Sequence, residues 1–137
     1  MDNLELYPVL PKDVLSIKDD IIPILELFHK HNEGSLPMAV IFESVLKGER
    51  ILWAGKDEGI IGMILVTEFQ DDSLFVTVWA TKSGWDFSTW YPLTMSKLEQ
   101  FARYFYCKEL RAITRKGLAR KIKQDWDHEH CIITKKL

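Results

Sequence analysis

Residues 73–108, SLFVTVWATKSGWDFSTWYPLTMSKLEQFARYFYCK, decide the fold of this chain. The first part predicts a strand, because two sets of side chains alternate over residues 74–79 and most of them are β-branched or aromatic. A polar loop with one glycine follows at residues 81–86, and a long helix comes after it. The helix is predicted from apolar residues that recur near helical spacing, namely Leu93, Leu98, Phe101, Ala102 and Phe105.

The start of this helix is a candidate anion site. Ser88 or Thr89 is the predicted N-cap, and Pro92 is predicted in the first turn, where a missing N–H costs nothing. A helix N-terminus that faces the loop after a strand offers an anion free backbone N–H groups and the positive end of the helix dipole. The same pattern also fits a core strand packed on a core helix with no ligand, so both interpretations stay open.

Length and composition limit the class of protein. The chain has 137 residues, 47% hydrophobic and 28% charged, which predicts one soluble globular domain over residues 1–137. The formal net charge of −2 gives no general case for nucleic-acid binding. The cysteines Cys107 and Cys131 are predicted to be reduced core thiols, which suits the cytoplasm. No signal peptide is predicted, and no apolar run reaches the roughly 18 residues of a membrane span.

The other segments extend this pattern in both directions. Their order is strand, two helices, a meander of three antiparallel strands, the long helix, strand, short helix and strand. The predicted strands are residues 4–10, 50–54, 60–69, 74–79, 109–114 and 131–134, with turns at 56–59 and 70–72. Besides the long helix, the predicted helical segments are residues 12–16, 21–31, 36–46 and 117–124. Pro8 suits an edge strand, and Gly62 permits close packing or a bulge.

Three phrases carry a resemblance to a known superfamily. They are PVLPKDVLSIKDDIIPILELF at residues 8–28, ILWAGKDEGIIGMILVTEF at 51–69 and CKELRAITRKGLARKIKQDWDHEHCIITKKL at 107–137. With the order of elements, they resemble the GNAT superfamily of N-acetyltransferases. More narrowly, LW in the hairpin, the tryptophan-rich region after the central strand and RKGLAR near the end resemble small GNAT-like proteins of bacteriophages and prophages. The resemblance implies an α/β (α+β) GNAT-like domain with a mostly antiparallel mixed sheet of about six strands flanked by helices.

The resemblance also implies acetyl-CoA binding beside the central strand. In active GNAT enzymes this strand pairs with the pantetheine arm, and the following Q/R-x-x-G-x-G/A loop holds the pyrophosphate. The residues that would bind the cofactor are Val78, Trp79, Ala80, Thr81, Lys82, Ser83, Gly84, Trp85 and Asp86.

The loop of this chain departs from that pattern at two of its three positions. Thr81 stands at the Gln/Arg position and Asp86 at the second glycine, and only Gly84 matches. A side chain keeps backbone N–H groups away from the phosphates, and a carboxylate repels them. Lys82 does not restore that backbone geometry. Binding of acetyl-CoA is therefore expected to be weak.

The sequence does not identify catalytic residues. Amine acetylation needs a base, often a carboxylate, and an acid, often a tyrosine. The candidates for the base are Glu68 and Asp72, at the edge of the central strand and in the turn before it; a solvated turn is the alternative for Asp72. The short helix at residues 117–124 has no tyrosine, and Tyr104 and Tyr106 are predicted to be core or surface residues. His29 and His31 lie on different faces of a helix, so no metal site is expected.

Two further features bear on partners. Six cations, Arg111, Arg115, Lys116, Arg120, Lys121 and Lys123, form either a phosphate-binding patch or a solvated face. No sequence-specific binding to nucleic acid is expected from them. Of the five tryptophans, Trp79, Trp85 and Trp90 cluster near the loop, where exposed ones would fill a cleft or contact a protein partner. Trp79, Ala80 and residues 82–86 are expected to line the cleft.

Two functions from different classes follow. The first is acetyl-CoA-dependent N-acyl transfer with weak or absent activity, because the pyrophosphate loop is degenerate. The second is a non-catalytic GNAT-fold protein that binds another protein or takes part in phage assembly, for example in a virion. The expected location is the cytoplasm, which for a phage-encoded protein is the host cytoplasm or the virion. No membrane partner is expected.

Overall fold

The computed structural model describes residues 3–32, 35–113, 127–129 and 132–137. The strands are β1 Leu4–Val9, β2 Ile51–Asp57, β3 Ile60–Gln70, β4 Ser73–Thr81, β5 Glu109–Ile113, β6 Asp127–Glu129 and β7 Ile132–Lys136. The helices are α1 Pro11–Val14, α2 Lys18–His31, α3 Met38–Leu46 and α4 Phe87–Tyr104, and a 3₁₀ turn at Leu15–Ile17 joins α1 to α2. The predicted short helix at residues 117–124, most of the basic segment and Cys131 lie outside the described residues.

The strands form one mixed sheet in the order β1-β2-β3-β4-β5-β7-β6. Only β4 and β5 pair in parallel among the described strands, and the other neighbours are antiparallel. The predicted mostly antiparallel mixed sheet of about six strands is therefore confirmed, and the described residues contribute seven strands to it. The additional strand, β6, is three polar residues long, too short to show an alternating pattern.

Short turns join the strands of the central meander. Glu58 and Gly59 both have positive φ, 52° and 81°, as a two-residue hairpin turn with the twist of its strands requires. Lys56 and Asp57, predicted to be in this turn, instead pair with β3. Asp71, with φ 54°, turns the chain into β4. These turns place β2, β3 and β4 side by side.

The predicted edge strand is confirmed as β1, which pairs only with β2 among the described strands. Pro8 lies within it, opposite Trp53. Proline is tolerated at an edge because its missing N–H removes no bond from a central ladder.

The sheet separates two buried clusters. Helix α4 covers one face, and α1–α3 cover the other. The cluster under α4 includes Trp53, Met63, Leu65, Leu74, Leu98 and Leu110. The opposite cluster includes Val14, Ile21, Leu25, Ile41, Leu52 and Ile64. Cys107 is a buried free thiol, as predicted, and burial raises its pKa.

His29 connects α2 to the chain before α3. Its Nδ1 lies 2.6 Å from the carbonyl oxygen of Leu25, and its Nε2 lies 2.5 Å from that of Leu36. Both ring nitrogens therefore have partners in the fold, which gives His29 a structural role.

Glu109 joins three strands through its carboxylate. It accepts hydrogen bonds from Ser73 Oγ at 2.9 Å and from Lys136 Nζ at 2.7 Å. The bonds from Lys136 and Ser73 lower the pKa of Glu109. A carboxyl with a lower pKa in the folded state stabilises the fold above its unfolded-state pKa, and this contribution disappears as the pH falls through the folded-state pKa.

We expect Glu109→Gln to lower the free energy of unfolding at pH 7 by up to about 1 kcal/mol, because the pair with Lys136 is solvent-exposed. The difference from the unmodified protein should shrink as the pH falls through the folded-state pKa of Glu109, below which the carboxyl is protonated in both states. Urea unfolding at pH 7 and pH 3 measures both values. An equal difference at the two pH values would assign the effect to packing rather than charge.

Candidate functional site

The candidate site is an opening between β4 and β5. The parallel ladder joins residues 73–76 of β4 to residues 109–112 of β5 and ends at the pair Val76–Ala112. Residues 77–81 of β4 remain paired with β3 on their other side, apart from Thr77. Within the described part of the chain, this half of β4 therefore has one paired edge and one edge without a strand partner. Such an edge can hydrogen-bond an extended ligand.

A β-bulge marks the point where the two strands diverge. Val66 of β3 pairs with Val78 and Thr67 pairs with Val76, so Thr77 is an additional residue in β4. Its Oγ1 donates a hydrogen bond to the carbonyl oxygen of Val66 at 3.2 Å. A bulge bends its strand and increases the local twist. The role of Thr77 was not predicted, because a bulge in an alternating strand has no signal in side-chain type.

The residues predicted to bind the cofactor form one continuous segment along this opening. Val78 and Ala80 are buried on the face covered by α1–α3, and Trp79 is buried on the α4 face. Thr81 and Lys82 are half-buried, and Ser83, Gly84 and Asp86 are exposed. Gly84 has φ 87°, a left-handed conformation that favours glycine. Their role in binding stays a prediction.

Helix α4 begins differently from the prediction. Asp86, not Ser88 or Thr89, is the N-cap. Its carboxylate accepts hydrogen bonds from Ser88 N at 3.2 Å, Ser88 Oγ at 2.9 Å and Thr89 Oγ1 at 2.9 Å. The helix starts at Phe87, so Pro92 is its sixth residue and lies in the second turn rather than the first. The two hydroxyls predicted to cap the helix instead donate to the residue that caps it.

The Asp86 carboxylate occupies the position where an anion would bind. Hydrogen bonds from Thr89 and Ser88 lower its pKa, so it is ionised at neutral pH. The N–H groups of Thr89 and Trp90 donate to the Asp86 carbonyl oxygen, both at 3.0 Å. The helix N-terminus is thus already matched to a negative charge from its own chain. A phosphate arriving here meets that charge and finds the N–H groups of Ser88, Thr89 and Trp90 in use.

Trp85 fixes the loop to the sheet. An added Cβ on Gly62 would lie 2.1 Å from the Trp85 indole, and one on Gly55 would lie 3.5 Å from it. Gly62 is a bulge residue, because Gly55 pairs with Met63 while Lys56 pairs with Ile61. Both possibilities predicted for Gly62, close packing and a bulge, are therefore confirmed. Since β2 and β3 lie on the far side of β4 from β5, the Trp85 ring points away from the opening.

The other aromatic side chains near the loop pack on one another. Trp79 stacks on Tyr91 with ring centroids 6.2 Å apart, and Phe87 stacks on Tyr91 at 4.9 Å. Trp90 meets Trp79 at 6.0 Å. Trp79, Trp90 and Tyr91 are all buried. This packing holds the first turns of α4 against β4.

Neither candidate carboxylate lies beside the open half of β4. Glu68 is on β3 opposite Phe75, and its Oε1 lies 3.7 Å from Arg50 Nε. Asp72 is exposed in the turn before β4, about 16 Å along the strand from Thr77. Their role as a base stays a prediction, and Glu68 has a structural partner in Arg50.

The described residues contain neither a cluster of metal ligands nor a membrane-spanning helix. No group of three or more His, Cys, Asp or Glu side chains there could hold a metal ion. No described helix combines the length and apolar character needed to cross a membrane.

Comparison with known proteins identifies the fold. No protein-family model matches the sequence, and no curated protein matches it. Among solved structures, an acetyltransferase of the GNAT family from Staphylococcus aureus is 8% identical with a TM-score of 0.73, and 98% of this chain and 99% of that one are covered. The PaiA N-acetyltransferase of Thermoplasma acidophilum in complex with coenzyme A gives 9% identity, a TM-score of 0.68 and the same coverages.

A third neighbour has the same extent. The IAA acetyltransferase of Bacillus cereus is 10% identical with a TM-score of 0.66, and the match covers 98% of this chain and 100% of that one. At these identities the agreement concerns the backbone. The backbone therefore follows that of these structures over nearly its whole length, and this chain has the GNAT fold.

Proposed function

We propose that this protein is a GNAT-fold N-acyltransferase with low affinity for acetyl-CoA and weak or absent activity. The observation that carries the proposal is the combination of an open β4 edge with a carboxylate cap on α4. The first feature suits the arm of an acyl-CoA, and the second opposes its pyrophosphate. The neighbour from Thermoplasma acidophilum is a complex with coenzyme A, which supports the choice of cofactor class.

The arm of the cofactor fits the residues present. Residues 77–81 offer backbone N–H and C=O groups along an extended edge, and the amides of a pantetheine arm can pair with such groups. Bound acetyl-CoA would supply an activated acetyl thioester. The chain would position this group through the β4 backbone, because Val78 and Ala80 contribute only apolar side chains.

The pyrophosphate fits poorly. Asp86 places an ionised carboxylate at the helix start, and the Ser88 N–H already donates to it. Charge-assisted hydrogen bonds to a phosphate are strong, and losing two of them raises the dissociation constant by more than about a hundredfold. A site that would otherwise be micromolar becomes about millimolar.

Calorimetric titration with acetyl-CoA tests this proposal. We expect the unmodified protein to bind with a dissociation constant of about 1 mM. Asp86→Asn keeps an N-cap oxygen and removes the charge, so it should tighten binding by about fivefold. Asp86→Gly also removes the side chain and should tighten it by about tenfold or more, while glycine still suits the N-cap.

Each result has a defined meaning. Micromolar binding by the unmodified protein would show that another surface holds the phosphates and would overturn the expected weak affinity. Equal binding by all three proteins would show that Asp86 does not face the pyrophosphate. No binding by any of them would exclude acyl-CoA and leave the second candidate function. Thermal melting of each variant, followed by circular dichroism, is the control for folding.

The second candidate is a non-catalytic GNAT-fold protein that binds other proteins, such as a component of a phage assembly. The carboxylate cap favours it, because the chain satisfies its own helix start without a ligand. The distance of Glu68 and Asp72 from the opening also favours it. Under either function, a cytoplasmic or virion location and the lack of sequence-specific nucleic-acid binding remain proposals.

A further inference from the structure

The end of α4 has an unusual backbone conformation. Cys107 N donates to the carbonyl oxygen of Ala102 at 2.8 Å, and Tyr106 N donates to that of Arg103 at 3.1 Å. This is the bonding pattern of a Schellman motif, in which the residue in the place of Tyr106 is usually glycine. Tyr106 has φ 61°, a left-handed conformation that is costly for a bulky side chain. The chain holds a tyrosine where glycine would be more stable.

That tyrosine follows directly in sequence on an exposed aromatic group. Tyr106 is 90% exposed, Tyr104 78%, Phe105 49% and Phe69 45%. The rings of Phe69 and Phe105 are 5.4 Å apart, and those of Tyr104 and Phe105 are 5.0 Å apart. We call these four residues the aromatic surface. Because Tyr106 is almost fully exposed, packing against the described residues offsets little of its backbone strain. Strain of this kind points to a function.

Charges of opposite sign border the aromatic surface. Arg103, 59% exposed, lies 3.8 Å from Glu99, which in turn lies 3.3 Å from Lys135 of β7. Asp71 and Asp72 are exposed in the turn that follows Phe69 and β3. Lys108 is also exposed, and its backbone N–H donates to the Asp72 carbonyl oxygen at 2.7 Å. One border therefore has two cations around one carboxylate, and the other has two carboxylates near one cation. The sheet order places these borders on opposite flanks of the rings, because β7 and β3 lie on opposite sides of β4 and β5.

We propose that the aromatic surface is a self-association interface that binds a second copy of this chain. In a two-fold symmetric contact, if one residue of the first copy touches a different residue of the second, the reverse contact also forms. A surface with a basic flank and an acidic flank can therefore be complementary to itself. Arg103 of one copy then faces the Asp71–Asp72 turn of the other, and the rings pack between them. Tyrosine and arginine are enriched among residues that dominate binding at such interfaces. This interface is separate from the opening beside β4 and does not depend on acyl-CoA binding.

Sedimentation equilibrium over a concentration series tests the proposal on the whole chain. We expect the unmodified protein to form dimers and Tyr106→Gly to raise the dimer dissociation constant at least about tenfold. Tyr106→Gly should also raise the melting temperature of the dilute monomer, because glycine relieves the left-handed strain. Weaker association with higher monomer stability cannot be explained by unfolding. Tyr104→Ser provides a second variant, and Ile60→Ser, at a residue 62% exposed on the β2–β3 hairpin, is the matched control.

Charge reversal tests the arrangement of the two copies. Arg103→Glu and Asp72→Lys should each weaken the dimer, and the double variant should recover most of the lost affinity. A protein that stays monomeric up to about 1 mM would overturn the proposal, as would a dimer that none of the aromatic substitutions weakens. Association that Ile60→Ser disrupts as strongly as Tyr106→Gly would place the interface elsewhere and also overturn it.

Discussion

Replacing Trp53 with alanine is expected to lower the free energy of unfolding by about 3–5 kcal/mol, because the change empties a large volume in a well-packed core. Trp53 is 2% exposed under α4, and its ring meets Phe101 at 5.0 Å with an interplanar angle of 78°. Its Nε1 donates to Thr67 Oγ1 at 3.0 Å. Since Thr67 is fully buried, the substitution also leaves a hydroxyl without this donor.

Urea unfolding of four proteins separates packing from hydrogen bonding. Trp53→Phe keeps an aromatic ring but removes the donor, and Thr67→Val removes the acceptor. Each substitution should lower the free energy of unfolding more in the unmodified protein than in the protein that already carries the other substitution. The reason is that the double variant leaves neither partner of this hydrogen bond buried and unsatisfied. Additive effects would show that the hydrogen bond contributes nothing. A cost below about 1 kcal/mol for Trp53→Ala would contradict the placement of this ring in the core.

Gly62→Ala is expected to destabilise the protein by about 2–3 kcal/mol, because it displaces the Trp85 ring from the sheet. The added methyl group would lie 2.1 Å from the indole, far inside contact distance. The strand bulge cannot absorb this overlap, so the loop at residues 82–86 must move. The indole is then exposed, and its fluorescence should shift to the red.

The same substitution in a Trp85→Ala background provides the test. With the ring absent, Gly62→Ala should cost less than about 1 kcal/mol, so the two changes should be strongly non-additive. Gly55→Ala is the comparison on the neighbouring strand, where the closest atoms belong to Met63 at 2.9 Å rather than to Trp85. Its effect should therefore depend much less on Trp85, whose ring would be only at ordinary contact distance, 3.5 Å. If Gly62→Ala destabilises the Trp85→Ala protein as much as it destabilises the unmodified protein, the effect comes from the backbone of the bulge.

Local sequence patterns predicted the elements that depend on interactions between residues close together in the chain. The alternation in β4, the apolar stripes of α2 and α3 and the turn residues around Gly59 each reflect a local requirement, and the resemblance supplied the arrangement of strands. Element ends were less accurate. Asp86 caps the helix in place of Ser88 or Thr89, because its carboxylate accepts hydrogen bonds from both of their hydroxyls at once.

The candidate site was only partly predictable, because it depends on contacts between distant residues. The segment along β4 was found from its position between strand and helix, whereas Thr77 became visible only through its register with β3. Phe105 was assigned to an apolar stripe, but the helix ends at Tyr104 and leaves Phe105 half exposed. No pattern within residues 101–106 shows where the helix stops, since tyrosine holds the position that glycine normally marks.

The arrangement of strands also sets the order in which the molecule can assemble. The β2–β3 and β3–β4 pairs close over short turns, and such hairpins form in about 1–10 μs. The chain between β1 and β2 contains α1–α3, and the chain between β4 and β5 contains α4. Pairing these strands therefore costs more loop-closure entropy than forming the two hairpins. We therefore expect the meander to form first and β5 to join it late, through a ladder of four residue pairs. The opening beside β4 is bordered on one side by β5, which is bonded to β4 over four residue pairs and to β7 over five. We therefore expect any change in the width of this opening to move β5 together with β7.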